Sequence, residues 1–142
     1  MQNLVKWLDE NRDEALFVVR LLIGFMFVFV HGGPKIMGGE AGWAKLGSMI
    51  GVLGFTFAPA FMGFIAAVFE LLGGIFIFFG LFTRLGALMI LATLLVAAPT
   101  MLVSKGLFAA APAIEDSLLM ILVLFSGGGK YSLDYRFFSN KN

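Results

Sequence analysis

An arginine sits inside an unbroken apolar run, LFVVRLLIGFMFVFV at residues 16–30, which exits through His31, Gly32, Gly33, Pro34 and Lys35. A charged side chain at the centre of a membrane helix costs about 2.5–3.5 kcal/mol on insertion scales. Arg20 must therefore lie near a membrane surface or have a partner. The rest of the chain repeats the apolar theme: 60% of its 142 residues are hydrophobic and its mean hydropathy is +0.96, more than a soluble domain of this length can hide. The expected fold is all-α and solvated partly by lipid: a bundle of four transmembrane helices.

Only 13% of residues are charged and the net charge is +1, which leaves no basic surface for nucleic acid. With no cysteine, disulfides, thiolate metal sites and cysteine nucleophiles are excluded together. The single His31 is too little for a protein-only transition-metal site, so no metal and no covalently bound cofactor are expected. Residues 1–14 mix Lys6 and Arg12 with Asp9, Glu10, Asp13 and Glu14, and the first apolar run ends in HGGPK instead of a small-residue cleavage pattern. It is expected to be retained and to span.

Taken in order, residues 1–14 place Leu4, Val5 and Leu8 on one side and Trp7 at headgroup level, which predicts a short amphipathic helix. A first span is expected over 15–31, stopped by Gly32, Gly33 and Pro34. Between 40 and 54, Trp43, Leu46, Met49, Ile50 and Leu53 fall at helical spacing; this reads either as an amphipathic helix in the interface or as a plain loop over the bundle. The second span is expected near 59–81, with Pro59 in its first turn and Glu70 as its charge. The third is expected from 84 or 85 to 103, kinked or cut short by Pro99. If the fourth begins at Pro112 it has only about 15 residues, short of the roughly 20 that cross a bilayer, with Glu115 and Asp116 in its first turn. Residues 15–134 then form the membrane domain and 135–142 a tail. No internal repeat is evident, so an inverted-repeat transporter is not supported.

Four crossings put both termini on one side. That side holds Lys6, Arg12, Arg20, Arg84, Lys130, Arg136 and Lys141, against Lys35, Lys45 and Lys105 opposite. The positive-inside rule makes both termini cytoplasmic.

Arg20, Gly24, Phe27 and His31 share one helical stripe. Glu70 stands among Gly63, Ala66, Ala67, Gly73 and Gly74, a face that a neighbouring helix can approach closely. Two readings follow: Glu70 pairs structurally with Arg20, or it faces a cavity where it holds a polar ligand group or takes a proton. His31, Lys35, Glu115 and Asp116 all map to the outward end. They read as a satisfied rim network, or as a polar mouth above an apolar cavity drawn from the 17 phenylalanines and eight methionines. The second geometry suits a lipophile with a polar head, such as a quinone. At the cytoplasmic end, Arg84 and Asp134 are expected to close the bundle with an ion pair.

With these residues in place the chain resembles the DoxX family, small bacterial and archaeal membrane proteins related to the DoxD subunit of thiosulfate:quinone oxidoreductase. The likeness is carried by Arg20 and Gly24, by His31, Gly32 and Lys35, and by Glu70 leading into Gly73 and Gly74. It continues with GLFTR at 80–84, Glu115 opening the fourth helix, and GGKYSLD at 128–134. The resemblance implies a four-helix bundle in the bacterial or archaeal inner membrane and an association with the subunits of a quinone-linked sulfur or thiol redox system.

The expected function is thus a quinone- or lipophile-binding membrane subunit. Arg20 and Glu70 would orient the polar head or relay a proton, and His31, Lys35 and Glu115 would form the outer gate. No catalytic residue can be named. The alternative is a non-catalytic carrier of a small solute or lipid, or an assembly factor, whose intramembrane ion pairs are structural. Self-association through the glycine-rich face of the second span is expected under either reading.

Overall fold

The computed structural model describes residues 1–138; residues 139–142, including Lys141 and the end of the expected tail, lie outside the described residues. Its elements are α1 (Gln2–Glu10), α2 (Arg12–Met37), α3 (Gly39–Gly47), a 3-10 segment (Ser48–Leu53), α4 (Pro59–Phe79), α5 (Thr83–Lys105), α6 (Leu107–Ser126) and a short α7 (Leu133–Phe138). Helices α2, α4, α5 and α6 have 26, 21, 23 and 20 residues. At 1.5 Å per residue these are roughly 30–39 Å long, enough to cross a hydrocarbon core of about 30 Å.

Two proline positions, Pro34 and Pro112, behave differently from the sequence expectation. The first helix does not stop at Gly32: it continues to Met37 through a π-helical widening at Phe27–Gly32. There the Gly33 amide donates to Val28 O, five residues back. The wider turn lets the helix carry Pro34, which in a regular α-helix would clash with the carbonyl four residues before it. Nor does Pro99 end α5, which runs on to Lys105; close by, Thr100 Oγ1 lies 2.8 Å from Val96 O and 3.1 Å from Met49 O and donates to one at a time. The fourth helix starts at Leu107 instead of Pro112. The amide that Pro112 lacks would have served an early carbonyl, beside the exposed Phe108, and the helix thereby reaches spanning length. Glu115 and Asp116 consequently move out of the first turn. Asp116 lies about 13 Å along the helix.

Close helix approach is what the glycines provide. A Cβ on Gly24 would stand 2.6 Å from the Phe78 backbone, one on Gly74 would stand 2.9 Å from Phe27, and one on Gly73 would stand 2.8 Å from Gly86 O. These contacts pack α2 antiparallel to α4, and α4 antiparallel to α5. Helix α3 is sewn onto the start of α4 in the same way, with Gly47 against the Pro59 carbonyl and Gly63 against the Trp43 carbonyl. The core joins all four spans through Ile23, Phe27, Ile77, Ile90, Met120 and Val123. Leu22, Phe29, Leu95 and Leu122 are exposed on the outside, as expected of helices whose outer solvent is acyl chain.

Candidate functional site

The polar residues fall into two separate centres. The first lies at the end that carries both termini. Arg20 is 4% exposed. Its Nη1 donates to Ile77 O at 3.1 Å and Phe78 O at 3.0 Å, and its Nη2 donates to Tyr131 O at 3.0 Å. The last carbonyls of a helix lack intrahelical donors and carry its negative end, so the guanidinium caps α4 and ties the 127–132 loop to it. Gly80, in the left-handed region at φ 65, closes α4 beneath it, and a Cβ there would strike Arg20 Nη1 and Ser132.

Asp134 completes this knot. Its amide donates to Gly80 O at 2.8 Å, and its carboxylate accepts from the Phe82 amide at 2.6 Å and the Thr83 amide at 2.8 Å. It is a cap for α5, where the first amides have no helical partner. Two expected ion pairs are thereby corrected. Arg20 does not meet Glu70, because Glu70 lies seven residues, about 10 Å, back from Ile77 along α4. Asp134 is not paired with Arg84: its carboxylate is turned to the Phe82 and Thr83 amides, while Arg84 is exposed and lies over Gly127.

The second centre lies toward the opposite end. Glu70 is 3% exposed, and both its oxygens contact Lys35 Nζ, at 2.6 and 2.5 Å. Lys35 reaches Glu70 because α2 continues past Pro34, which carries the stripe of Arg20, Gly24, Phe27 and His31 one turn further. Gly32 permits the approach, since a Cβ there would run into the backbone of Leu71. Trp43 Nε1 donates to Lys35 O at 3.0 Å and packs edge-on against Phe64 at 4.9 Å, so α3 steadies the lysine backbone.

The pair opens onto a cavity of about 250 Å³ whose other walls include Met49, Ile50, Met62, Phe69, Val96 and Met101. Thr93 also lines it, but its hydroxyl donates to Ile90 O. Lys35 lines as well a more open cleft of about 280 Å³ shared with His31, Pro34 and Leu46, and so stands between the two spaces. His31 is half-buried, its ring 5.1 Å from Phe27. Asp116 is half-buried and within Coulombic reach of His31, Glu115 and Glu70, whereas Glu115 is exposed. The four-member rim network is not formed as expected, because Lys35 pairs with Glu70 instead of with Glu115 or Asp116. Among the described residues no group of three or more His, Cys, Asp or Glu side chains is placed to hold a metal.

The Lys35–Glu70 pair, the Trp43 contact to the Lys35 carbonyl and the Met49 wall were not read from the sequence. The signal was present in the spacing of His31 and Lys35, four residues apart on one stripe, but a helix ended at Gly32 hides it.

The DoxX family model matches residues 15–103, which holds Arg20, His31, Lys35, Glu70 and Arg84; α6 and the 127–134 segment lie beyond the match. Over 88 residues the chain is 34% identical to "Putative oxidoreductase CatD" of Bacillus subtilis (strain 168), covering 62% of this chain and 60% of that protein. No solved structure matches. With more than half its length matched, across the first three spans and the buried ion pair, the chain belongs to the DoxX family.

Proposed function

We propose that the protein is a membrane subunit of a sulfur or thiol redox system, which takes the polar head of a quinone-like lipophile into the cavity beside Lys35 and Glu70. The observation that carries this reading is an ion pair with a buried carboxylate on the wall of an otherwise apolar space. Ligand sites are mostly apolar with a few placed polar groups, and this cavity has that composition. At about 250 Å³ it lies just under the roughly 300–1,000 Å³ of drug-sized pockets. It fits a substituted ring, with a long tail left among the lipids.

A quinone, when bound, supplies the capacity to accept two electrons and two protons. The chain's part is to hold and protonate it. Lys35 donates a hydrogen bond to a ring oxygen, Glu70 keeps the ammonium in place and exchanges a proton with the ligand, and the methionine and phenylalanine walls exclude water. His31 and Asp116 give protons a path in from the open cleft. Arg20 has no part in the site. The word "oxidoreductase" in the relative's name supports the redox setting, and the bias of basic residues supports cytoplasmic termini in a bacterial or archaeal inner membrane.

The test is quenching of Trp43 fluorescence by short-chain quinone analogues, in a Trp7→Phe background that leaves one tryptophan. Wild type is expected to quench saturably, and Glu70→Gln to bind at least about tenfold more weakly through loss of the charge-assisted contact. Equal binding by Glu70→Gln removes Glu70 from the site, and absence of saturable quenching removes the reading.

A second reading is favoured by one detail: Lys35 Nζ touches both Glu70 oxygens, so the pair is complete without a ligand. On this reading the protein is a non-catalytic carrier or assembly factor. It expects a bound lipid or solute, no quinone quenching, and no change in a co-purified redox complex beyond its amount.

A further inference from the structure

We propose that the cleft between the start of α2, the end of α4 and the 130–136 segment is a binding site for the phosphate of an anionic phospholipid. This cleft is distinct from the Lys35–Glu70 cavity and holds about 370 Å³. Among the described residues three cations line it, Arg20, Lys130 and Arg136, and no carboxylate does. Its remaining wall is apolar and aromatic: Phe17, Leu21, Phe78 and Phe79, of which Phe17 and Phe79 are exposed on the bundle's outer face.

Of these three cations only Lys130 has an ion-pair partner among the described residues. Among the described residues Arg20 meets carbonyl oxygens and the face of Phe17, 5.5 Å away, and its buried Nε has no hydrogen-bond partner. Such a guanidinium, 4% exposed, has no carboxylate in hydrogen-bond contact among the described residues; Asp134 acts on it only at a distance, so the direct pairing that a buried ion normally requires is incomplete. Lys130 is held by Asp13 at 2.7 Å, and Glu14 accepts from the Tyr131 hydroxyl, so the nearby acids are engaged. Arg136 is exposed and forms no ion pair among the described residues.

A phosphodiester on a diacylglycerol matches all of these features. Its oxygens accept from Arg136 and from the free protons of Lys130, its negative charge offsets Arg20 through the cleft, and its chains lie along Phe17 and Phe79. Arg20 stands about 12 Å inside the start of α2, at the level where a headgroup meets acyl chains. Basic pockets at the ends of membrane helices hold acidic headgroups by this means.

The test is native mass spectrometry of the full chain, reconstituted in equimolar phosphatidylglycerol and phosphatidylcholine and released into mild detergent. Wild type is expected to retain one phosphatidylglycerol in preference to phosphatidylcholine. Arg136→Gln should lower that retention about fivefold, the effect of one cation near an anionic surface; Arg136→Lys should keep it, and Lys45→Gln at the other end should leave it unchanged. Because α7 contributes no buried residue, Arg136→Gln should unfold in phosphatidylcholine as wild type does. Equal retention of the two lipids, or an Arg136→Gln protein that holds phosphatidylglycerol as wild type does, overturns the proposal. Displacement of the lipid by millimolar inorganic phosphate overturns it too, since the site would then serve a soluble anion.

Discussion

At the scale of single residues, Arg20 and Glu70 divide the labour that either could have shared. Both are charged, buried and on facing helices, and the sequence offers them as partners. Depth along the helix separates them, because the arginine is level with the last turn of α4 and the glutamate with its middle. Arg20→Lys should therefore destabilise the bundle by about 2 kcal/mol or more, since one ammonium cannot span three carbonyls that a planar guanidinium reaches at once. Quinone-analogue binding should be untouched, and a loss of binding without loss of stability would contradict this assignment. The other centre is asymmetric. Lys35 is 34% exposed at its side chain and Glu70 4%. Lys35→Ala strands a buried carboxylate and should cost roughly 3–5 kcal/mol; Glu70→Ala leaves a lysine that can turn toward the cleft and should cost less. Chemical unfolding in detergent reads both. The tyrosine of the closing loop adds a pH test: its hydrogen bond to Glu14 holds the Tyr131 phenol above the ordinary tyrosine range. A raised value means that the contact stabilises below the unfolded pKa and fades as pH rises through the folded one, above about 10. In a Tyr135→Phe background, phenolate absorbance should titrate above pH 10, and Glu14→Gln should bring the midpoint down. A midpoint unmoved by Glu14→Gln would show that the contact is absent in solution.

At the scale of elements, helix existence was legible and helix ends were not. Four apolar runs of spanning length predict four helices whatever their neighbours do, because lipid offers no other way to satisfy a backbone. Ends depend on local exceptions. Pro34 reads as a stop and Pro112 as a start, yet a π-turn carries the first and the exposed opening turns of α6 absorb the second. The consequence is functional, since the stretch beyond Pro34 is what brings Lys35 to Glu70. The π-turn exists to accommodate Pro34, so Pro34→Ala is expected to let α2 relax toward regular helix and to turn Lys35 away. Ligand affinity should fall with the bundle still folded; unchanged affinity would mean that the widened turn is independent of the proline. The cap at α5 is similarly invisible in spacing alone, as Asp134 lies 51 residues from Thr83. Asp134→Ala should cost about 1 kcal/mol, the usual value of a lost N-cap, while Arg84→Ala should cost little.

At the scale of the whole molecule, the chain is a DoxX-family bundle whose helices are tied together at the end carrying its termini and which holds the Lys35–Glu70 cavity toward the other. The knot of Arg20, Gly80, Ser132 and Asp134 joins α2, α4, α5 and the closing segment, so that end is rigid. The opposite end carries the cavity, the open cleft and the ion pair between them. Helix phase, from which the sequence assigned the partners, sets the face of a residue and not its depth, so charges expected around one interior lie in two separate centres. The account's central claim is that Lys35 and Glu70, not Arg20, form the polar wall of the ligand cavity. Exchanging the two charges, Lys35→Glu together with Glu70→Lys, tests it most directly, with unfolding and quinone-analogue quenching measured on both single variants and the exchange. The account predicts that each single variant is destabilised, that the exchange recovers most of the loss, and that quenching stays lost because donor and acceptor have traded places. Single variants that are as stable as wild type, or an exchanged protein that quenches as wild type does, would contradict it.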